Sequence, residues 1–198
     1  FSLYGALFLG QMKPALAAVR GLAEPTPAEA LQIQSPPFAD FWEAYLAMEP
    51  HVLIRFGRWH QIIDMAQPED PVTYATLNAT LFYAKGLAHA ALGQVPHALE
   101  MEEKFLTAHV PDTRLVHNNT VVDLLEVAKE MLRGEILYRE ERYDEAYAAL
   151  RRSVALEDAL HYDEPWGWMQ PTRHALGALL YEQGHVVEAE EVYRQDLG

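Results

Sequence analysis

The residues best suited to chemistry are concentrated in one short segment, residues 157–168. It combines four carboxylates with a histidine, a tyrosine and two tryptophans: Glu157, Asp158, His161, Tyr162, Asp163, Glu164, Trp166 and Trp168. Closely spaced carboxylates are the ligands that a hard cation prefers, and a pair of them can serve as general acid and base. Asp163 and Glu164 nevertheless lack the glycine-centred spacing of a calcium loop.

We therefore predict a structural role for this segment. Trp166 and Trp168 are expected to cover the apolar end of a helix pair, while Asp163 or Glu164 caps the helix that follows. The alternatives are a site for a ligand, a partner or a metal. Its side chains would be His161, Asp163, Glu164, Trp166 and Trp168.

Recognisable catalytic and cofactor motifs are absent from the sequence. The nine histidines are scattered, and none falls in a His-Glu-x-x-His motif. The three serines lie outside any Gly-x-Ser-x-Gly elbow, and no glycine-rich nucleotide or phosphate loop occurs. Cysteine is absent, which excludes thiolate metal sites and thiol catalysis. We predict a protein that is not an enzyme and has no cofactor and no metal site.

Charge and hydropathy narrow the classes of partner. The chain has 15 Lys and Arg against 29 Asp and Glu, a formal net charge of −14. Nucleic acids and anionic membranes are bound through cations, so we predict that the chain binds neither. Hydrophobic residues make up 50% of the sequence, enough for a sizeable core, without an apolar run long enough to span a bilayer. The opening residues lack the basic flank of a signal peptide, which favours the cytoplasm.

The elements that must position these residues are helices. Apolar residues recur with the helical period along most of the chain, and strand patterns are weak. Turns are predicted at Gly10, Gly57, Gly93, Glu141 and Gly184. They separate residues 1–8 from 15–22, 38–56 from 59–65, 72–92 from 96–108, 121–139 from 143–156, and 174–182 from 186–197.

Two features complete this division of the chain. Residues 110–119 are predicted to be a polar loop, after which Asn118, Asn119 or Thr120 caps the next helix. No domain boundary is apparent, so residues 1–198 are predicted to form one domain. Because the chain starts on Phe1, we expect it to be a fragment of a longer protein.

A pattern of small residues spans three of the turns. A glycine before the turn is followed twelve residues later by an alanine, in the pairs Gly86 and Ala98, Gly134 and Ala146, and Gly177 and Ala189. Small residues on both sides of a turn let two antiparallel helices approach closely. The repetition is typical of an α-helical hairpin repeat.

These helix pairs resemble tetratricopeptide (TPR) repeats. The best match is the last pair, with Gly177, Leu180, Gly184, Ala189 and Tyr193 at the characteristic small and large apolar positions. The fourth pair matches through Gly134, Leu137, Tyr143, Ala146, Leu150 and Ser153. The third pair has Glu102 where a large apolar residue is usual, and the second has Ile62 where alanine is usual. The resemblance implies an all-α, right-handed superhelical array of about five antiparallel hairpins.

A narrower resemblance extends over most of the chain. It is to the C-terminal part of larger bacterial TPR-containing proteins, through residues 54–59, 83–88, 132–136, 157–165 and 189–197. That group has no established enzymatic activity, so the resemblance also implies a protein that binds rather than catalyses.

The resemblance further selects residues that would line a groove. In TPR arrays, positions 2, 5, 9, 12 and 13 of the first helix of each pair face a concave surface. On this chain the chosen residues are Tyr83, Met131, Glu135, Tyr138, Arg139, His174, Tyr181 and Glu182, with Leu87 and Ala178 at equivalent positions. Rings supply contact area and charges fix register, which suits an extended peptide. The alternative is that the three tyrosines only pack between helices.

We therefore predict a non-catalytic scaffold that binds a protein or peptide, in the groove or at the aromatic loop. Alternatives from other classes are a small-molecule or metal-binding module and the non-catalytic part of an enzyme whose active residues lie upstream. Homo-oligomerisation through the two ends of the array is a third hypothesis. The residues proposed for those ends are Phe1, Leu3 and Leu7, and Val187, Val192 and Leu197.

Overall fold

A computed structural model describes residues 2–164 and 166–197, and within them the chain is mostly helical. The helices are α1 (Ser2–Phe8), α2 (Met12–Ala23), α3 (Ala28–Leu31), α4 (Phe38–Leu46), α5 (Met48–Arg55), α6 (Trp59–Asp64), α7 (Ala75–Ala91), α8 (Val95–Thr107), α9 (Val121–Arg139), α10 (Tyr143–Asp158), α11 (Thr172–Glu182) and α12 (Val186–Asp196). The predicted all-α class is confirmed at this level. Every helix in the described part is too short or too polar to cross a lipid bilayer.

All five predicted turns have a left-handed residue at the predicted position. The φ angles of Gly10, Gly57, Gly93, Glu141 and Gly184 lie between 61° and 83°. At each turn two backbone N–H groups reach back to the preceding helix. At Gly93, for example, Gly93 N donates to Ala90 O and Gln94 N to His89 O, both at 2.8 Å. This hydrogen-bond pattern satisfies carbonyls that a helix end would otherwise leave unpaired.

The helices joined by these turns pack against each other: α1 on α2, α5 on α6, α7 on α8, α9 on α10 and α11 on α12. Glycine is required where the backbones approach. A Cβ on Gly134 would lie 2.7 Å from Leu150 Cγ and 3.3 Å from the Ala146 carbonyl oxygen. The twelve-residue spacing from Gly134 to Ala146 thus marks a real close approach of α9 and α10.

Gly86 is packed differently, in agreement with the departure at Glu102. A Cβ on Gly86 would lie 2.9 Å from Leu132, a residue of α9 rather than of the paired helix α8. Glu102 instead forms an ion pair with Arg133 at 3.4 Å. The tightest approach to Gly86 therefore comes from Leu132 of α9, and Met101 of the paired helix α8 follows at 3.5 Å.

Two predicted helix boundaries are wrong. Residues 38–56 do not form one helix, because α4 ends at Leu46 and α5 begins at Met48. In a continuous helix the ring of Pro50 would clash with the carbonyl of Leu46. The third pair starts at Ala75 rather than at residue 72, since Asp70 Oδ1 accepts the N–H groups of Val72 and Thr73 in a turn, both at 3.1 Å.

The loop before α9 contains a short antiparallel pair of strands, β1 (Leu115–Val116) and β2 (Asn119–Thr120). Thr120 is the residue that caps α9, one of the three predicted candidates. Its Oγ1 accepts the N–H of Asp123 at 3.1 Å. His117 forms the turn between the strands with a φ of 52°.

A buried carboxylate fixes the start of α7. Glu43 is fully buried, and its carboxylate accepts the N–H groups of Thr76 at 3.0 Å and Leu77 at 2.9 Å. Arg114 pairs with it at 3.3 Å and donates to the Ala39 carbonyl at 3.0 Å. Burial raises the pKa of Glu43, although the hydrogen bonds and Arg114 act in the opposite direction. This contact joins α4, α7 and the segment before β1.

The residues proposed for the ends of the array differ in exposure. Phe1 lies outside the described residues. Leu3 and Leu7 are buried, because α1 packs on α2 and its apolar side belongs to the main core. Val187 and Leu197 are exposed, and Val192 is partly buried. The expectation of an exposed apolar surface at Leu3 and Leu7 is therefore wrong.

Candidate functional site

The acidic segment that the sequence singled out is anchored to the protein by its own carboxylate. Asp163 is buried and accepts hydrogen bonds from Asn118 N at 3.2 Å and Asn119 Nδ2 at 2.6 Å. Asn119 Oδ1 in turn accepts the N–H of His161 at 2.8 Å. Because its hydrogen bonds are made within the protein, Asp163 holds the segment against β2.

The predicted cap of α11 is wrong. Neither Asp163 nor Glu164 caps that helix; Glu157 does, accepting the N–H of Thr172 at 2.8 Å. Burial raises the pKa of Glu157, against the lowering effect of its bonds to Thr172. Glu164 is exposed and accepts the hydroxyl of Tyr162.

The two tryptophans of the segment have opposite environments. Trp168 is only 4% exposed and packs edge-on against Tyr83, with ring centroids 5.6 Å apart, and against His51 at 5.1 Å. Trp166 is 55% exposed and packs against the ring of Phe8, with ring centroids 5.2 Å apart. Trp168 is therefore a core residue. Trp166 covers α1, rather than the end of the fourth helix pair as predicted.

A buried polar chain runs beneath Trp168. Tyr83 donates its hydroxyl to Gln170 Oε1 at 3.2 Å, and Gln170 Nε2 lies 3.2 Å from His51 Nδ1. Burial lowers the pKa of His51 to about 4, so the imidazole is neutral at pH 7 and its Nδ1 accepts the amide N–H of Gln170. Burial raises the pKa of Tyr83, which keeps the phenol protonated.

Next to this covered region lies a cavity of about 360 Å³. Three helices contribute side chains spaced by four residues, which stack on one face of each helix. They are Leu87 and Ala91 from α7, Met131, Glu135 and Arg139 from α9, and His174 and Ala178 from α11. Ile54, Arg55 and Trp59 also line the cavity, and the loop before α11 adds Gln170 and Pro171.

Charged groups of the cavity differ in how they are paired. Arg139 donates to Glu135 Oε1 through Nε at 3.0 Å and Nη2 at 2.7 Å. Arg55 Nη1 lies 3.5 Å from His174 Nδ1, and His174 Nε2 lies 2.9 Å from Asp196. Arg55 forms no ion pair with a carboxylate in residues 2–164 or 166–197.

The structure brings together four of the eight predicted groove residues, Met131, Glu135, Arg139 and His174. Tyr83 is not part of the lining, because Trp168 and Gln170 cover it completely. Tyr138 is also buried and belongs to the core between α9, α10 and α11. Tyr83 and Tyr138 therefore pack between helices, which was the alternative to a role in the groove.

Tyr181 and Glu182 lie outside the cavity. Tyr181 is 65% exposed and lines a second, open groove of about 760 Å³ on α11 and α12. Glu182 is exposed and lines neither space. Ala178 lines both, so the cavity and the open groove meet at this residue.

Residues that sequence reasoning missed include Arg55, Trp59 and Gln170. Arg55 and Trp59 flank the predicted turn at Gly57, and their position gives no sign of a cavity 119 residues away in sequence at His174. Within the described residues, no three His, Asp or Glu side chains are arranged to hold a metal ion.

Comparison with models of protein families, with characterised proteins and with solved structures finds no match for this chain.

Proposed function

We propose that the chain is a non-catalytic scaffold that binds a protein or peptide partner. In this proposal residues 1–198 form one TPR-like domain, a right-handed superhelical array of about five hairpins. Two features support the array: the five left-handed turns and the packing of α9 on α7 and of α11 on α10. A rigid array binds well because its side chains lose little conformational freedom when a partner arrives.

The observation that carries the proposal is the shared position of Ala178. Because this residue lines both the cavity and the open groove, one partner can insert a side chain into the cavity and lie along α11 and α12. The walls of the cavity are mainly apolar, with a few polar groups that fix orientation, as in most binding sites. Tyr181 and Tyr193 provide large apolar contacts on the open side.

The partner is proposed to occupy only one end of the groove predicted from the sequence. Trp168 and Gln170 cover Tyr83, where an extended peptide would continue. A short segment with one inserted side chain fits the remaining space better than a long extended chain.

A displayed random peptide library tests this proposal. Peptides selected on the wild-type chain should lose about tenfold in affinity for Ala178→Gln, because the longer side chain blocks the junction of cavity and groove. Ala148→Gln is the matched control, since Ala148 is likewise an exposed alanine inside a helix and lies on α10. Glutamine is a good helix former, so both variants should keep the helical circular dichroism of the wild type.

Two results would contradict the proposal: a selection that yields no binder, or an equal loss of affinity in the two variants.

A further inference from the structure

We infer that the group received by the cavity has an apolar body and a single anionic head, and that Arg55 binds the head. The inference rests on the proposed function, because it concerns the chemistry of a ligand in the same cavity.

The apolar body is indicated by the walls. Ile54, Leu87, Met131 and Leu179 line the cavity together with the ring of Trp59. Met131 is held from behind by the indole N–H of Trp168, at 3.2 Å from its sulfur. A volume of about 360 Å³ falls in the range of small-molecule sites and also accommodates one large side chain.

The cavity lining has more basic than acidic side chains, the opposite of the chain as a whole. The whole sequence has 29 acidic residues against 15 basic ones, yet the lining has two arginines and one glutamate. Glu135 is already bound by Arg139 through two N–H groups. Both bonds go to Oε1, so the negative charge of Glu135 is paired with Arg139 even though Oε2 is not part of this contact. With Glu135 paired, the lining keeps a net positive charge, which favours an anion over a cation.

Arg55 is the remaining charge, and its surroundings leave donors free. His174 Nε2 is directed at Asp196, so its Nδ1 is the acceptor that faces one N–H of Arg55. The guanidinium carbon of Arg55 also lies 6.0 Å from the centre of the Phe8 ring. Neither neighbour offers the carboxylate that a guanidinium prefers.

An anion beside an apolar wall would complete the pairing of Arg55. Charge-assisted hydrogen bonds are stronger than neutral ones. Arg55 is exposed, and Ile54 and Trp59 lie beside it in the lining, so an apolar ligand body packed on them would reduce the access of water to the ion pair. The same chemistry is present in a free apolar acid and in a peptide with an acidic residue next to an apolar one. The experiment below separates these two sources.

The first arm uses three probes with the same chain length: sodium octanoate, octanol and octylamine at pH 7.5. Titrations followed by NMR should show octanoate binding the wild-type chain about tenfold more tightly than the other two. Arg55→Gln should lower the affinity for octanoate about tenfold, to the level of octanol. Arg58→Gln is the matched control, since Arg58 is an exposed arginine near the same turn that does not line the cavity.

The second arm uses the peptides selected for binding to the wild-type chain. Replacing the acidic residue next to the apolar anchor by its amide should weaken binding to wild type about tenfold and leave binding to Arg55→Gln unchanged. If only octanoate shows a charge preference that depends on Arg55, the ligand is a free acid. If only the peptides show it, the ligand is a peptide.

The inference is overturned if neither octanoate nor the peptides show a charge preference that depends on Arg55, or if Arg58→Gln has the same effect as Arg55→Gln. Neither result changes the expected difference between Ala178→Gln and Ala148→Gln, which tests the proposed function. Failure of the inference and failure of the proposed function can therefore be told apart.

Discussion

Two regions of the molecule contain tyrosines that were both predicted to line a groove, and the structure packs them in opposite ways. In the closed region, formed by His51, Tyr83, Met131, Trp168 and Gln170, every ring is buried. In the open region, formed by Ala178, Tyr181, Val186, Tyr193 and Leu197, the apolar side chains face a groove.

Tyr138 and Tyr181 make the contrast sharpest, because each lies three residues before a left-handed turn residue, Glu141 or Gly184. Tyr138 is 4% exposed and Tyr181 is 65% exposed. Leu179 and Leu180 belong to the same buried cluster as Tyr138. Position relative to the turn therefore fixes the side of the helix on which a residue lies, while its exposure depends on which other element packs there.

The largest expected difference between segments of the chain concerns the two tryptophans. Trp168→Ala should lower the free energy of unfolding by about 3 to 5 kcal/mol, because it leaves a hole between Tyr83 and His51. Trp166→Ala should cost only about 1 kcal/mol, since more than half of that side chain is exposed. Urea denaturation followed by far-UV circular dichroism measures both values without relying on tryptophan fluorescence. Equal costs would show that the closed region is no better packed than its edge.

The closed region should also make stability depend on pH through His51. Unfolded, this histidine has an ordinary pKa near 6.5, whereas burial lowers the folded pKa to about 4. As pH falls below 6.5, the unfolded chain takes up the proton first, so stability is lost between pH 6.5 and 4.

Between pH 7 and 5 the wild type should lose about 2 kcal/mol relative to His51→Gln. Glu43 and Glu157 titrate with the opposite sign, because their folded pKa values are raised, and the subtraction removes their contribution. His60→Gln, at an exposed histidine, is the control that should retain the loss. Parallel stability curves for wild type and His51→Gln would refute a buried neutral imidazole.

The smallest effect is expected from removing single hydroxyls. Tyr83→Phe should cost about 1 to 2 kcal/mol, because Gln170 Oε1 loses its donor in a buried site. Tyr181→Phe should change the free energy of unfolding by less than about 0.5 kcal/mol, because its hydroxyl is on an exposed residue. Thermal unfolding of the two variants, compared with wild type, measures both changes in stability. A larger loss of stability in Tyr181→Phe than in Tyr83→Phe would contradict the assignment of the closed and open regions.

Local sequence patterns predicted the turns, and the resemblance to TPR repeats selected part of the cavity lining. A glycine between two apolar helices adopts positive φ at low cost, and four of the five predicted turns contain one. Thr120 was among three predicted caps because a hydroxyl can accept an N–H of the next helix. Met131, Glu135 and Arg139 share a face because their spacing of four matches the helical period.

Other features depended on contacts between segments far apart in sequence. Trp168 lies in a loop between α10 and α11. It is a core residue only because its ring packs against those of His51 and Tyr83. Two further contacts also join segments that are far apart in sequence. Glu43 caps α7, and Arg55 lies against His174.

The sequence by itself determined that this protein is helical, where its turns lie and which residues share a helix face, because these properties depend on neighbours within a few positions. Only the tertiary structure decided that the acidic segment is an internal anchor, that Tyr83 is covered and that Tyr181 is open. It also decided that a cavity forms beside Arg55. Those outcomes follow from burial and hydrogen bonding between distant segments, which a local pattern does not encode.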